Sequence, residues 1–120
     1  MDIFCDGGLK KVCVVLDNQT IIKKVNGTNN ENEYRALILA LGYAKDGDAI
    51  YSDSQLIVNQ TINNWKVKAA NLYALNLEAK LLYLEKEVTI EWISRDWNKA
   101  GWVLEGNTSN YKKERFSLLQ

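Results

Sequence analysis

Three short apolar segments follow one another within the first 25 residues, and none is long enough to form a helix. They cover residues 3–5, 12–16 and 20–25, and Asp17-Asn18 between the last two suits a two-residue hairpin turn. Short segments joined by such turns predict an antiparallel meander. This opening constrains the rest of the fold, because a meander followed by strand–helix–strand crossovers indicates a mixed sheet.

Beyond the meander, helical and strand patterns alternate along the chain. The predicted elements are a helix over 30–44, a strand over 49–52, helices over 54–62 and 69–85, a strand over 88–93 and a short helix over 98–105. Leu37, Ala40, Leu41 and Ala44 repeat at helical spacing, so that face of the first helix is core. We therefore predict an α/β fold with a five-stranded mixed sheet, three strands antiparallel and two parallel, and helices on both faces.

Length and composition exclude several classes of protein. A chain of 120 residues predicts a single domain over 1–120, with residues 106–120 as a polar, partly basic tail. No apolar run approaches the ~18 residues of a membrane span, and no leader precedes the first strand, so we expect a cytoplasmic protein without membrane contact. The net charge is zero and histidine is absent, which excludes histidine-dependent catalysis and histidine metal ligation. Cys5 and Cys13 are expected to be free buried thiols.

Three acidic residues from distant parts of the chain are predicted to meet. If the strand over 49–52 pairs parallel with the first strand, Asp6 and Asp53 lie at the carboxyl ends of adjacent central strands, where open α/β sheets bind ligands. Glu33 shares a helical face with core residues and points towards the sheet, whereas Glu31 is expected to be solvated. Each acid alone also fits a structural role, as a turn residue, a helix N-terminal acid or a helix cap.

Four motifs in this order resemble the type 1 ribonuclease H family. They are Asp6-Gly7-Gly8 at a strand end, residues 28–33 before an apolar helix, residues 50–55 around Asp53, and residues 91–100. Each motif alone is common, but their order, spacing and elements agree over roughly residues 2–105. The resemblance implies a ribonuclease H-like fold and a metal-dependent endonuclease that hydrolyses the RNA strand of RNA–DNA hybrids.

The resemblance also implies two-metal catalysis at these acids. Two Mg²⁺ ions, for which Mn²⁺ can substitute, would activate a water and stabilise the leaving oxyanion. Carboxylates suit such hard cations. By resemblance, Asp6 bridges both ions, Glu33 holds one ion near the RNA sugar, and Asp53 holds the ion that activates water. The family pattern places the helix ligand five residues after the threonine, which selects Glu33 over Glu31.

The fourth acid of the family has no counterpart at the expected spacing. The family has an aspartate about four residues after the asparagine of the last motif, whereas Asn98 is followed by Lys99, Ala100, Gly101 and Trp102. Neither Gly101 nor Trp102 can ligate a metal. Glu105 is the favoured replacement as a catalytic acid, and Asn98 or a water are the alternatives.

Two further departures concern loops near this site. Many family members carry a histidine before the last helix, and Arg95-Asp96 resembles the arginine–acid variant found in short members without it. The loop from Gly7 to Lys11 is much shorter than the glycine-rich loop common in the family, so contacts to RNA from this loop are expected to be reduced.

Several polar and aromatic residues are expected to contact the substrate. This predicted set is Thr28, Asn29, Asn30, Gln55, Trp65, Lys66 and Asn98. RNA 2′-hydroxyls, displayed in the wide minor groove, would distinguish a hybrid from DNA. The segment from Trp65 to Lys68 combines a stacking surface with cations, although Trp65 fits a core or hinge position equally well. Lys112, Lys113 and Arg115 fit either phosphate contacts or a solvated tail.

Three functions fit the sequence. The favoured one is hydrolysis of RNA–DNA hybrids by a monomer that needs no obligatory protein partner. The second is a catalytically weak or inactive nucleic-acid-binding module on the same fold, which the missing fourth acid favours. The third is a DNA-acting nuclease or recombinase on the same fold.

Overall fold

The computed structural model describes residues 1–106, and its central feature is one five-stranded sheet. The strands are β1 (Asp2–Gly7), β2 (Lys11–Val15), β3 (Thr20–Lys24), β4 (Ala49–Ser52) and β5 (Thr89–Trp92). Their order across the sheet is β3-β2-β1-β4-β5. Strand β2 is antiparallel to β1 and β3, whereas β4 is parallel to β1 and β5. The predicted mixed sheet is therefore confirmed.

Helices connect and cover these strands. The described part of the chain contains α1 (Asn29–Tyr43), α2 (Gln55–Ile62), α3 (Tyr73–Glu85) and α4 (Lys99–Leu104), with 3₁₀ turns at Ala70–Leu72 and Arg95–Trp97. Helix α1 begins after Thr28, whose hydroxyl accepts from the Glu31 backbone N–H while the Glu31 carboxylate accepts from the Thr28 N–H. This reciprocal cap gives the helix a defined start next to the sheet.

The two faces of the sheet bury different cores. On β2, Val12 and Val14 face the larger core, which includes the inner faces of α1 and α3, whereas Cys13 and Val15 face a smaller core with Ala100 of α4. This alternation follows from the two-residue period of a strand. Helices therefore lie on both faces, as the sequence predicts. Cys5 and Cys13 are buried free thiols.

Gly7 allows α1 to cross β1 at close range. A Cβ atom at residue 7 would lie 2.2 Å from the backbone oxygen of Asn32, which no side chain tolerates. Because residue 7 has no side chain, the first turn of α1 can approach the carboxyl end of β1. The contact brings Glu33 to the strand that carries Asp6.

Several predicted boundaries differ from the structure. Strand β1 extends to Gly7, because Asp6 and Gly7 pair with Cys13 and Val12, so Asp6 lies inside the paired strand and not after it. The helix predicted over 69–85 begins as a 3₁₀ turn and becomes α-helical only at Tyr73. The predicted tail over 106–120 lies outside the described residues apart from its first residue. Within residues 1–106, no helix combines the length and apolarity that crossing a membrane requires.

Candidate active site

Three carboxylates meet at the carboxyl edge of the central strands. Asp6 is on β1, Asp53 directly follows β4, and Glu33 is in the first turns of α1. One oxygen from each side chain lies within 4.8 Å of one oxygen from each of the others. The parallel pairing of β1 with β4 accounts for the approach of Asp6 and Asp53, because it ends both strands at the same edge of the sheet.

Glu33 is held in place by the backbone of β1. The Gly7 N–H donates a hydrogen bond to the Glu33 carboxylate, and the Glu33 side chain is almost wholly buried. Next to it, the Asn32 side-chain amide donates to the carbonyls of Gly8 and Leu9, at 2.7 and 3.2 Å. These bonds fix the start of α1 and the short β1–β2 loop to each other, so the position of Glu33 relative to Asp6 is defined on both sides.

Asp53 is held in position by Asn98, which lies near the C-terminal end of the described residues. The Asn98 side-chain amide donates to Asp53 Oδ2 at 3.1 Å and to the Cys5 carbonyl at 3.0 Å, while its side-chain oxygen caps α4 by accepting from the Ala100 N–H. The Asn98 side chain is fully buried. The structure thus uses the Asn98 amide atoms to orient Asp53 and to start α4, and a contact of Asn98 with substrate stays a prediction.

Burial and mutual repulsion make the three acids hard to ionise together. Burial, followed by the charge of Asp53, raises the pKa of Asp6 to about 6. Burial, followed by the charge of Asp6, raises the pKa of Glu33 to about 9. Burial also raises the pKa of Asp53, and the hydrogen bond from Asn98 opposes this rise. Such a cluster is stabilised either by protonation or by a cation among the oxygens.

The donor set fits hard divalent cations. It consists of carboxylate oxygens from three side chains, and the cluster contains no sulfur or imidazole ligand. Mg²⁺ prefers such oxygens and retains several waters, for which this site has room. The acids line a cleft of about 280 Å³ together with Gly7, Gly8, Leu9, Asn29, Arg95, Leu104 and Glu105.

The wall formed by α4 lacks an acid that faces the cluster. A Cβ atom at Gly101 would lie 3.4 Å from Asp6 Oδ2 and 3.7 Å from Asp53 Oδ2, so residue 101 is the position on α4 that points at the cluster. Glu105 lies further along, at the mouth of the cleft, and accepts two hydrogen bonds from Arg95, at 2.9 and 3.1 Å. Glu105 is not part of the three-carboxylate group.

The other predicted substrate-contacting residues lie around the cleft. Asn29 lines it, whereas Asn30, Trp65 and Lys66 line a neighbouring, more apolar depression, in which the Trp65 side chain is 50% exposed. Thr28 and Gln55 are exposed at the N-termini of α1 and α2. Of these residues, only Asn29 shares the cleft with the acids.

Three residues have roles at the site that the sequence analysis did not assign: Asn32, Gly101 and Arg95. Asn32 shows one detectable signal, because it is a polar residue beside Glu33 in a helix whose next residues are core, and it is fully buried. The family spacing drew attention to residues 101 and 102 but did not decide between them, and the structure shows that residue 101 faces the acids. Arg95 was noted only as part of a family variant, and the structure places it on the cleft wall.

Known proteins share both the sequence pattern and the fold. The family model described as RNase H matches residues 1–111. The chain is 40% identical over 76 residues to the bifunctional protein Rv2228c of Mycobacterium tuberculosis. The matched stretch covers 59% of this chain and 21% of that protein. The chain thus spans about a fifth of the length of this relative.

Two solved structures place the chain within the same fold. The N-terminal RNase H domain of Rv2228c from Mycobacterium tuberculosis, solved as a fusion with maltose-binding protein, is 25% identical with a TM-score of 0.72, over 94% of this chain and 96% of that one. LC11-RNase H1, solved in complex with an RNA/DNA hybrid, is 23% identical with a TM-score of 0.67, over 82% of this chain and 88% of that one. From the family match and the shared fold we conclude that the chain belongs to the RNase H family.

Proposed function

We propose that this protein hydrolyses the RNA strand of RNA–DNA hybrids endonucleolytically at the Asp6, Glu33 and Asp53 cluster. The observation that carries the proposal is the meeting of three carboxylates, from three separate stretches of chain, within 4.8 Å, with Glu33 buried and the two aspartates half-buried. A cluster of this kind opposes its own ionisation unless a cation is bound. Family membership supports the nuclease chemistry, and the relative solved with an RNA/DNA hybrid supports the choice of substrate.

Asp6, Glu33 and Asp53 would hold two Mg²⁺ ions, with Mn²⁺ as a substitute. When bound, the ions supply a nucleophilic water at neutral pH and stabilise the oxyanion that leaves. Asp6 is coupled to both of the other acids. The charge of Asp53 raises the pKa of Asp6, and the charge of Asp6 raises the pKa of Glu33. One Glu33 oxygen accepts from the Gly7 N–H, so this bond sets which way the carboxylate presents its remaining electron pairs.

The chain's other residues orient the acids and the substrate. Asn98 fixes the Asp53 carboxylate by a 3.1 Å hydrogen bond, which leaves Asp53 little rotational freedom. Arg95 contributes positive charge near Asp6 and Asp53, and this charge opposes the rise in their pKa values. Asn29 and Asn30 border the acidic cleft and the Trp65 depression, and we propose that they contact the RNA strand between them.

A cleavage assay with one labelled strand tests this function. The purified chain is incubated with an RNA–DNA hybrid, duplex RNA and duplex DNA of the same sequence, in Mg²⁺, in Mn²⁺ and in EDTA. We expect cleavage of the RNA strand of the hybrid alone, dependent on the metal and abolished by Asp53→Asn. The matched control is Asp17→Asn, which removes an exposed turn carboxylate outside the cleft and should cleave like the wild type.

Other outcomes of this assay would assign a different function. Equal cutting of duplex DNA would indicate a DNA-acting nuclease on the same fold. Cleavage that persists in EDTA, or that Asp53→Asn leaves intact, would contradict metal catalysis at these acids.

A second candidate is a binding module with weak or no catalysis. The observation that favours it is the α4 wall, where residue 101 is a glycine and Glu105 is paired with Arg95. In that case the chain would bind the hybrid with measurable affinity but would not cleave it under either metal. Binding and cleavage measured on the same preparation separate the two functions.

A further inference from the structure

Three lysines form an exposed basic corner beside the acidic cleft. We define the lysine corner as Lys10, Lys11 and Lys24, which line a shallow depression together with Val25 and Asn26. All three side chains are exposed. Neither of the two ion pairs found within residues 1–106 involves a lysine of this corner.

The arrangement of these lysines opposes folding. Lys11 on β2 and Lys24 on β3 are directly opposite each other in the antiparallel register, and like charges in such a pair are destabilising. The chain as a whole has a net charge of zero, so this concentration of positive charge is local. A bound anion would relieve the repulsion, whereas solvent only screens it.

The corner is continuous with the site through two backbone segments. Gly8 and Leu9 line the acidic cleft, and Lys10 and Lys11 follow them directly, at about 3.8 Å per residue between Cα atoms. The Val25 N–H donates to the Lys10 carbonyl at 2.9 Å, which fastens the end of β3 to this loop.

The segment before and at the start of α1 borders three depressions in succession. Asn26 lines the lysine corner, Asn29 lines the acidic cleft, and Asn30 lines the depression that contains Trp65 and Lys66. A polyanion lying over the acids along this segment therefore has cations available on both sides. The acids themselves repel phosphate until they are neutralised, so positive charge on both flanks is what would hold the backbone down.

We propose that the lysine corner binds the phosphate backbone of the nucleic acid at a distance from the scissile bond. The proposal rests on the proposed function only in taking an RNA–DNA hybrid as the ligand. Exposed lysines on flexible stems act as point charges and do not read bases, so the contact would be independent of sequence. Lys10 belongs to the short β1–β2 loop, so the corner would give this loop phosphate contacts that depend on charge and not on loop length.

The test compares two double variants with the same change in charge. Lys11→Gln with Lys24→Gln removes the facing pair of the corner, and Lys45→Gln with Lys80→Gln removes two lysines that line none of the three depressions. Binding is measured by fluorescence anisotropy in EDTA across a series of salt concentrations. Two hybrids are used. One has about 18 base pairs and is longer than the 45 Å longest dimension of the described fold, and the other has about 6 base pairs and is shorter than it.

We expect a specific loss for the corner variant on the long hybrid. Each phosphate contact contributes about 0.9 to the slope of log K against log salt for duplex DNA, so the slope should fall by up to about 2. Affinity for the long hybrid should fall at least about tenfold at low salt. Affinity for the short hybrid should equal that of the control variant. The melting temperature should equal or exceed that of the wild type, because the Lys11 and Lys24 repulsion is removed.

Two results would overturn the proposal. One is a salt slope equal to that of the control variant. This result would mean that the corner does not bind nucleic acid, and that it binds either an acidic protein surface or no ligand. The other is an equal loss on both hybrids, which would place the lysines within the footprint of the cleavage site. Cleavage in Mg²⁺ is scored separately: a chain that binds through the corner but does not cut refutes the proposed function alone.

Discussion

The two walls of the acidic cleft handle charge in opposite ways. The wall made by β1, β4 and α1 holds three carboxylates, and neither of the two ion pairs in the described part of the chain involves any of them. The Gly7 N–H and the Asn98 amide donate to Glu33 and Asp53, and Asp6 and Glu33 are hydrogen-bonded to each other.

The wall made by α4, a helix of six residues, has a glycine facing the cluster and an exposed Glu105 paired with Arg95. The demand for a cation therefore comes mainly from the first wall. On the second wall the positive charge of Arg95 lowers the pKa values of Asp6 and Asp53, and the negative charge of Glu105 opposes this effect.

Removing a carboxylate from the first wall should have the largest effect. Asp6→Asn removes the acid whose charge interacts with both Glu33 and Asp53. The loss is large because stabilisation of the transition state by bound metal is worth several kcal/mol. We expect hybrid cleavage to fall more than about a hundredfold. In EDTA the same variant should melt at a higher temperature than the wild type, because the repulsion with Glu33 and Asp53 is gone.

In Asp6→Asn, cleavage is expected to fall while the melting temperature in EDTA rises. This opposite change distinguishes a residue of the site from a residue with a structural role, whose loss would lower both. Asp17→Asn serves as the control and should change neither. Cleavage within a factor of about three of the wild type would remove Asp6 from the mechanism.

Adding a carboxylate to the second wall should have the next largest effect. Gly101→Asp places an acid at the position whose Cβ would lie 3.4 Å from Asp6 Oδ2. We expect its metal-free melting temperature to fall and the increase on adding Mg²⁺ or Mn²⁺ to exceed that of the wild type. Binding of Mn²⁺ by calorimetry should tighten about tenfold, which corresponds to about 1.4 kcal/mol.

Gly101→Asn is the matched control, since it has nearly the same size without the charge. If both variants bind metal alike, or if Gly101→Asp weakens binding, residue 101 does not face the proposed metal site.

The first wall also predicts how stability depends on pH when metal is absent. The folded-state pKa values of Glu33 and Asp6 are raised to about 9 and about 6, above their values in the unfolded chain. The unfolded state therefore binds fewer protons, and stability is lost as pH rises from about 4 towards 9. In EDTA, the melting temperature should fall by at least about 5 °C between pH 5 and pH 8.

Saturating Mg²⁺ should flatten this dependence, because bound cations favour the ionised acids. Glu33→Gln should flatten it without metal. A melting temperature in EDTA that rises over the same interval would mean that these acids are not buried together in solution.

The smallest effect is expected from the ion pair on the second wall. The Arg95 and Glu105 side chains are 77% and 42% exposed, so their pairing contributes less than about 1 kcal/mol to stability. We expect Glu105→Gln to change cleavage less than about threefold, because Arg95 already binds one oxygen of the Glu105 carboxylate and Glu105 lies outside the three-carboxylate group. A loss comparable to that of Asp6→Asn would instead make Glu105 the fourth catalytic acid, as the sequence favoured.

Sequence patterns predicted the sheet well and the junctions less well. The five strands and the long α1 follow from local periodicity and turn residues, which act over a few neighbours. The extent of β1 through Asp6 and Gly7 depends on pairing with Cys13 and Val12, residues outside any local window. The 3₁₀ start of the segment before α3 likewise has no local signal, because helix types differ little in residue preference at their ends.

The sequence by itself determined which acids stand at strand ends and helix starts, and therefore that Asp6, Glu33 and Asp53 could meet. Only the tertiary structure decided how they are held and what faces them. Asn98 is bound to Asp53 across 45 positions of sequence, and Gly101 is turned towards the cluster by the packing of α4 on β1 and β2. The physical reason is that side-chain direction on a short helix depends on how that helix packs, and packing is a property of the whole fold.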